Sequence, residues 1–280
     1  AEVCEGTNIS ASFINGSGGA PGLYTDVYEY SIDFGSTWNS YVAGNSISTN
    51  SLSGTNVVSI RTRRENSGVA GCNIGSYVIE SWTVYPTPTV NAIANQRFCN
   101  NETAPLIGLS GPVPLTTFTW INSNTAMGLV ASGTGDIPSF TATNASNTTV
   151  TATISVTPHS THGALTCDGE TQTFTITVYP TPTVTATPAS QTICSGLAPN
   201  IALSSVVPGT VFSWTVVESG VSGASAGSGS VINQTLTNTG GVTGTAKYTI
   251  TPKANNCDGT SISVTITVQP PPTGVAQSNQ

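Results

Sequence analysis

A fixed period along the chain constrains its fold more than any other feature. Cys4, Cys99 and Cys194 lie 95 residues apart, and Cys72 and Cys167 have the same spacing. A period of this size corresponds to one small domain per repeat, because single domains commonly hold on the order of 100 residues. The sequence therefore predicts a tandem array of three units.

Each unit ends in a strand that runs directly into prolines. Segment 82–90 reads Trp-Thr-Val-Tyr-Pro-Thr-Pro-Thr-Val, segment 176–184 repeats all but its first residue, and 266–274 is an altered copy. Proline lacks the amide donor and pushes the residue before it toward extended geometry, so a strand stops there and a stiff linker follows. The linker prolines are Pro86, Pro88, Pro180, Pro182, Pro270, Pro271 and Pro272.

The linkers set the predicted domain boundaries. The predicted units are 1–86 (unit one), 87–180 (unit two) and 181–270 (unit three), and 271–280 is predicted to be a linker with the start of a following repeat. The chain starts and stops in the same phase of the period, three residues before a cysteine position. We therefore expect it to be a segment of a longer array.

Short alternating strands predict the fold of each unit. In 174–178, Phe174, Ile176 and Val178 point one way and threonines point the other, and no segment shows helical periodicity with caps. Many such strands, separated by Gly, Asn and Pro turns, predict two-sheet sandwiches. We expect an all-β fold of three immunoglobulin-like β-sandwich domains in an elongated rod, with Trp120 and Trp214 in the cores.

Two cysteines per unit predict disulfides and an oxidising compartment. The first cysteine follows the preceding linker and the second precedes the final strand, so we expect both at the end where the chain enters the unit. Pairing Cys72 with Cys99 would instead span about nine extended residues, roughly 30 Å, whereas a disulfide needs Cα atoms within about 7 Å. The predicted pairs, one within each unit, are Cys4–Cys72, Cys99–Cys167 and Cys194–Cys257.

The charge composition limits the partners. Only 7% of residues are charged and the net charge is −7, so lysine and arginine are too few to indicate binding to nucleic acid or an anionic membrane. No run approaches the ~18 apolar residues of a membrane helix, which predicts no membrane insertion in this segment.

No residue set predicts catalysis or a metal site. Segment 223–227 matches Gly-x-Ser-x-Gly by chance in a Gly/Ser-rich stretch, because the histidines that would complete a triad lie a unit away. His159 and His162 are interpreted as solvated loop residues near a disulfide cysteine, and not as zinc ligands. We expect no enzyme activity and no cofactor.

Two weaker sites remain open. The Cys-Asp-Gly segments 167–169 and 257–259 place acids beside the linkers, where calcium could stiffen a junction, although a turn-forming Asp-Gly is the preferred interpretation. Arg61 and Arg63 share a strand face as a candidate patch for an acidic ligand. The preferred interpretation is pairing of these arginines with Glu65 or Glu80.

Several of these features together resemble a known family. Phe-x-Trp at 118–120 and 212–214, the Gly/Ser-rich middle, Cys-Asp-Gly and the Pro-Thr-Pro linker resemble the PKD-like repeats of very large Bacteroidota surface adhesins, including gliding-motility adhesins exported by the type IX system. Unit one, through segments 28–38 and 58–64, is similar to another repeat type of such adhesins. The resemblance implies PKD-like domains in units two and three and an extracellular stalk tethered to the outer membrane.

The expected function is therefore structural. The chain is predicted to be a stalk segment of a repetitive cell-surface adhesin or filament, serving surface attachment or gliding motility, whose partners are the neighbouring repeats. One alternative is a module that binds a glycan or another ligand. Another is a subunit of a filament in which copies of the chain assemble laterally.

Overall fold

The fold is described by a computed structural model. It covers residues 1–14, 16, 23–50, 52, 54–66, 74–272 and 274. Within these ranges the chain forms β-strands and one turn of 3-10 helix, with no α-helix, and the strands assemble into β-sandwich sheets. The predicted all-β class is confirmed.

The first sheet belongs to unit one. Its strands are β1 (Glu2–Cys4), β2 (Tyr24–Ser31), β3 (Asn39–Ser40), β4 (Asn56–Asn66) and β5 (Val78–Tyr85). They pair in the order β1-β5-β4-β2-β3, and β1 runs parallel to β5. Val58, Ile60 and Val84 are fully buried at the centre of the hydrophobic cluster that this sheet covers.

Unit two has a larger sheet that faces a smaller one. Its strands are β6 (Gln96–Cys99), β7 (Thr103–Ala104), β8 (Thr117–Asn122), β9 (Ser132–Thr134), β10 (Phe140–Thr141), β11 (Val150–His162), β12 (Leu165–Asp168) and β13 (Gln172–Tyr179). The 3-10 turn spans Thr125–Met127. The large sheet has the order β6-β13-β11-β8-β9 with β12 paired to β11, and β7 pairs with β10.

Unit three repeats this plan. Its strands are β14 (Thr185–Thr187), β15 (Ser190–Cys194), β16 (Ile201–Ser204), β17 (Val211–Ser219), β18 (Val221–Ser222), β19 (Gly227–Ser228), β20 (Val231–Ile232), β21 (Thr237–Asn238), β22 (Gly244–Ala254), β23 (Cys257–Asp258) and β24 (Ile262–Gln269). The large sheet has the order β15-β24-β22-β17-β19 with β23 paired to β22. Sheets β14-β16-β20 and β18-β21 complete the unit.

The alternating pattern of the sequence explains which side chains form the cores. Phe174, Ile176 and Val178 of β13 are buried, while the threonines between them face outward. Trp120 and Trp214 are 2% and 6% exposed and belong to separate hydrophobic clusters, as predicted. Threonine suits the outer face because it is β-branched, which favours extended geometry, and still polar.

Candidate functional site

The most distinctive chemistry of the chain lies where one unit follows another. Each unit has a leading end, where the chain enters, and a trailing end, where the chain leaves for the next linker. The first cysteine strand runs parallel to the last strand, so that Cys4 pairs in register with Tyr85 and Cys99 with Tyr179. These cysteines therefore lie at the trailing end, beside the residue that precedes the linker.

In units two and three, the second cysteine lies at the opposite end of its unit, in a hairpin that precedes the last strand. We call β11–β12 and β22–β23 the cysteine hairpins of units two and three. Cys167 is opposite Ser160 in the first hairpin, and Cys257 is opposite Ala254 in the second. Because the following strand runs from the leading to the trailing end, each hairpin cysteine lies at the leading end.

The disulfides consequently join neighbouring units. Cys4 of unit one is bonded to Cys167 of unit two, with 5.5 Å between Cα atoms and 163 residues between them in sequence. Cys99 of unit two is bonded to Cys257 of unit three, with a Cα–Cα distance of 5.6 Å and a separation of 158 residues. The same connection thus occurs at two successive junctions.

The predicted pairing within each unit is therefore wrong. The prediction placed the first cysteine at the leading end because it follows a linker closely. In unit two, the chain after the linker runs from Pro88, against Gly169 at the leading end, to Cys99 beside Tyr179 at the trailing end. Cys4 likewise lies beside Tyr85 at the trailing end of unit one. Cys194 has no disulfide partner and is exposed, and Cys72 lies outside the described residues. The pairs not formed as predicted are Cys4–Cys72, Cys99–Cys167 and Cys194–Cys257.

Hydrogen bonds attach each linker to the unit that it leaves. The backbone N–H of Thr87 donates to a carboxylate oxygen of Glu5 over 3.3 Å, and the Thr87 hydroxyl donates to the Glu5 carbonyl over 3.2 Å. At the next junction the amide of Asn100 donates to the hydroxyl of Thr181 over 3.0 Å. The residue directly after the first cysteine therefore holds the threonine of Pro-Thr-Pro in both linkers.

The other side of each linker packs on the following cysteine hairpin. A Cβ placed on Gly169 would lie 1.8 Å from the carbonyl oxygen of Pro88, and one on Gly259 would lie 1.9 Å from that of Pro182. No side chain fits at such a distance, so only glycine allows this approach. Both prolines are buried. The predicted Asp-Gly turns are not formed, because Asp168 and Asp258 are the last residues of β12 and β23. The glycines after them instead provide the surface on which the linkers pack.

An aromatic stack adds to the first junction. The ring of Tyr85, the last residue of β5, lies parallel to that of His162, with 3.6 Å between centroids. His159 is engaged elsewhere, with Nδ1 2.6 Å from a carboxylate oxygen of Asp168 and Nε2 2.8 Å from the hydroxyl of Thr119. The two histidines lie in strand β11 of the cysteine hairpin, so the interpretation of them as solvated loop residues is wrong.

The acids beside the linkers contact single basic groups. Asp168 faces His159, and the carboxylate of Asp258 lies 3.3 Å from the Lys253 ammonium. In the part of the chain that the structure describes, no three His, Cys, Asp or Glu side chains are grouped to hold a metal ion. Calcium at the junctions stays a prediction.

The predicted arginine patch forms a stack of rings and guanidinium groups on unit one. The Arg61 guanidinium lies between Trp38 and Tyr77, 3.8 and 4.0 Å from the ring centroids. Arg63 lies 4.5 Å from the Tyr77 centroid. Cation–π contacts of this kind orient the guanidinium groups. Sequence reasoning did not anticipate either ring.

Carboxylates neutralise part of this stack. Arg63 pairs with Glu65 at 2.6 Å, one of the predicted pairings. Arg61 pairs with Glu29 at 2.7 Å, and the hydrogen bond from Arg61 holds the pKa of Glu29 below its usual value. The sequence prediction considered Glu80 and missed Glu29. Glu29 is opposite Arg61 on the paired strand β2, a register that the sequence alone does not give.

The Gly-x-Ser-x-Gly match holds a serine with a structural contact. The Ser225 hydroxyl accepts a hydrogen bond from the side-chain amide of Gln234 over 2.8 Å, and the Ser225 backbone N–H donates to the same side chain. Gly227 lies in the short strand β19, paired with Trp214 of β17. The segment is thus an edge of the sandwich of unit three.

Comparisons with known proteins support a PKD-like repeat in unit three. Residues 191–272 match a PKD-like domain family. No curated protein sequence matches the chain. Among described residues, no helix has the length and apolarity needed to cross a membrane.

The solved structures that resemble the chain include cadherin ectodomains, at TM-scores below 0.5. A protocadherin gammaB7 EC3-6 structure has a TM-score of 0.46 and 10% identity, covering 95% of this chain and 75% of that one. Protocadherin gamma B2 extracellular domains 3-6 have a TM-score of 0.42 and 12% identity, and the match covers 91% of this chain and 69% of that one. Mouse cadherin-23 EC22-24 has a TM-score of 0.39 and 9% identity, and the match covers 96% of this chain and 95% of that one.

Proposed function

We propose that the chain is a load-bearing stalk segment of a repetitive extracellular adhesion protein. The observation that carries this proposal is the pair of disulfides between consecutive units, Cys4–Cys167 and Cys99–Cys257. Disulfides persist in oxidising compartments, which indicates an extracellular environment. A binding module needs one well-formed surface, whereas a stalk needs every junction secured, and both junctions are secured in the same way.

Each junction has two covalent connections placed side by side. One is the linker that follows Tyr85 or Tyr179, and the other is the disulfide of the cysteine in register with that tyrosine. Two connections oppose both bending and twisting, whereas a single linker opposes neither strongly. The hydrogen bonds and the glycine contact then fix the path of the linker itself.

The disulfides also change the route by which force passes through an unfolding chain. With both formed, the shortest covalent path enters unit two at Cys167 and leaves it at Cys99. Most of units one and three is bypassed. At about 3.5 Å per extended residue, the segment 1–272 would reach roughly 300 Å when oxidised and roughly 950 Å when reduced. The oxidised stalk would therefore lengthen under force by only a limited amount, because the disulfides keep most of units one and three out of the path that bears the force.

Single-molecule force spectroscopy tests this function. The oxidised chain, held at residues 1 and 272, should unfold to about a third of the contour length of a variant with serine at 4, 99, 167 and 257. Cys194→Ser is the matched control and should behave as the parent. Full extension of the oxidised parent would contradict a load-bearing role for the disulfides.

The finer assignment is a stalk of a large cell-surface adhesin, tethered to the outer membrane and serving surface attachment or gliding motility. The match of residues 191–272 to a PKD-like domain supports it, together with the repeated Pro-Thr-Pro linkers. Immunodetection of the parent protein on intact cells, lost after brief protease treatment, tests the location. Detection only after cell lysis would contradict it.

A second candidate function rests on the ring and guanidinium stack of unit one. Trp38 and Tyr77 are partly exposed around Arg61, a combination that can bind a sugar through stacking and hydrogen bonds. Saturable binding on a glycan array, lost in Arg61→Ala and kept in the exposed control Arg97→Ala of unit two, would support it. Absence of saturable binding would leave the stalk as the function.

A further inference from the structure

The trailing end of unit three repeats the features of the two disulfide junctions, and among the residues that the structure describes no cysteine hairpin lies on it. We define the socket as Cys194, Gln269 and the linker residues 270–272. We propose that the socket binds the cysteine hairpin of a further PKD-like unit, and that Cys194 forms a disulfide with the hairpin cysteine. This inference rests on the proposed stalk function and names the partner of an otherwise free thiol.

The backbone of the socket has the geometry of the occupied junctions. Cys194 is in parallel register with Gln269, as Cys99 is with Tyr179. The residue after the cysteine makes the same backbone hydrogen bond in both places. The Ser195 N–H donates to the Gln269 carbonyl over 3.0 Å, and the Asn100 N–H donates to the Tyr179 carbonyl over 2.9 Å. The thiol of Cys194 is therefore placed where Cys99 meets its partner.

Exposure differs between the socket and the occupied junctions in the way that a missing hairpin predicts. Pro182, the last proline of the second linker, is buried against Gly259, whereas Pro272 at the corresponding position is exposed. Cys99 is partly buried, whereas Cys194 is exposed. A cysteine hairpin with a glycine two residues after its cysteine, as at Gly169 and Gly259, would cover both the thiol and the proline carbonyl at once.

Two sequence differences define how the socket holds its partner. Pro271 replaces the linker threonine, which removes a hydroxyl and an N–H, and Ser195 replaces Asn100. The hydrogen bond between Asn100 and Thr181 therefore has no counterpart there. The proposed attachment depends on the disulfide and on the contact of a hairpin glycine with the carbonyl of Pro272.

The partner is identified by these requirements. It must present a cysteine on a short antiparallel hairpin at the leading end of a sandwich, followed by a glycine whose missing Cβ admits the linker carbonyl. The Cys-Asp-Gly segments at 167–169 and 257–259 meet both requirements. The occupant is thus another unit of this type, joined through the linker, and not a small thiol.

Bond formation is an ordinary thiol–disulfide exchange. The Cys194 thiolate attacks a low-molecular-weight disulfide such as oxidised glutathione, and one glutathione leaves as a thiol. The hairpin thiolate then displaces the second glutathione, which forms the protein disulfide. Two protein thiols are oxidised and one oxidant disulfide is reduced to two thiols.

The test extends the full chain by one unit. A second copy of residues 183–272, with its own Cys194 replaced by serine, is appended after Pro272, oxidised glutathione supplies the oxidant, and cystine peptides are mapped by mass spectrometry without reduction. We expect Cys194 to be linked to the Cys257 of the appended copy. In a Cys194→Ser version, that appended cysteine should become alkylatable while circular dichroism stays unchanged.

The same digest separates the two proposals. If Cys99–Cys257 forms in the original chain while Cys194 remains alkylatable, the socket proposal is wrong and the stalk proposal stands. If neither forms, the stalk proposal fails as well. A second extension, with residues 89–182 in place of 183–272, guards against misfolding of one appended unit, and a free Cys194 in both extensions would overturn the proposal.

Discussion

Asp33 fixes the turn between β2 and β3 through three hydrogen bonds to its carboxylate. One oxygen accepts from the Thr37 hydroxyl over 2.6 Å, and the other accepts from the Ser31 hydroxyl over 2.7 Å and the Thr37 N–H over 2.9 Å. These donors, the Thr37 hydroxyl foremost, lower the pKa of Asp33 from 3.8 to about 2. A carboxylate that accepts several hydrogen bonds is favoured in its charged form.

The sign of the resulting pH dependence follows from this shift. Because the folded pKa lies below the unfolded one, the contribution of Asp33 to stability is present above pH about 4 and is lost as the pH falls toward 2. Thr37→Val should raise the pKa of Asp33, as measured by carbon NMR titration of its carboxyl group. Ser36→Ala, in the same turn, is the control. An unchanged titration in Thr37→Val would refute this account of the turn.

The contact between linker and cysteine hairpin makes a prediction at the scale of the element. Gly169→Ala should destabilise unit two by about 1–3 kcal/mol, because the added Cβ would lie 1.8 Å from the carbonyl oxygen of Pro88. Gly108→Ala is the matched control, since no atom lies within 4 Å of its Cβ position. Equal midpoints of denaturant unfolding for the two variants would mean that the cysteine hairpin does not pack against the linker.

Sequence predicted the elements well because alternation is a local signal. Phe174, Ile176 and Val178 follow the period of two that buries one face of a strand, so their burial needed no knowledge of the rest of the chain. Trp120 was placed correctly for the same reason. The strand ends before Pro86 and Pro180 were equally readable, since the effect of proline on its neighbours is local.

The disulfide pairing could not be obtained in this way. It depends on the direction in which β1 and β6 run relative to the last strands, and parallel pairing joins residues far apart in sequence. The period of the cysteines could not decide the pairing, because a constant spacing is consistent with disulfides within units and with disulfides between units. The pairing of Arg61 with Glu29 was missed for a related reason, since it required the register of β2 against β4.

At the scale of the whole molecule, the chain is a series of sandwiches whose described disulfides join neighbouring units. In unit two, Cys167 faces back to unit one and Cys99 faces forward to unit three. This arrangement can continue indefinitely, whereas a disulfide within each unit would leave every junction to its linker alone. The proposed stalk function and the proposed socket on unit three both rest on this arrangement.

Peptide mapping of the oxidised chain, digested and analysed by mass spectrometry without reduction, tests this arrangement most directly. The structure predicts cystine peptides that join Cys4 to Cys167 and Cys99 to Cys257, and an alkylated peptide that contains Cys194. A cystine peptide joining Cys99 to Cys167, within one unit, would contradict the account.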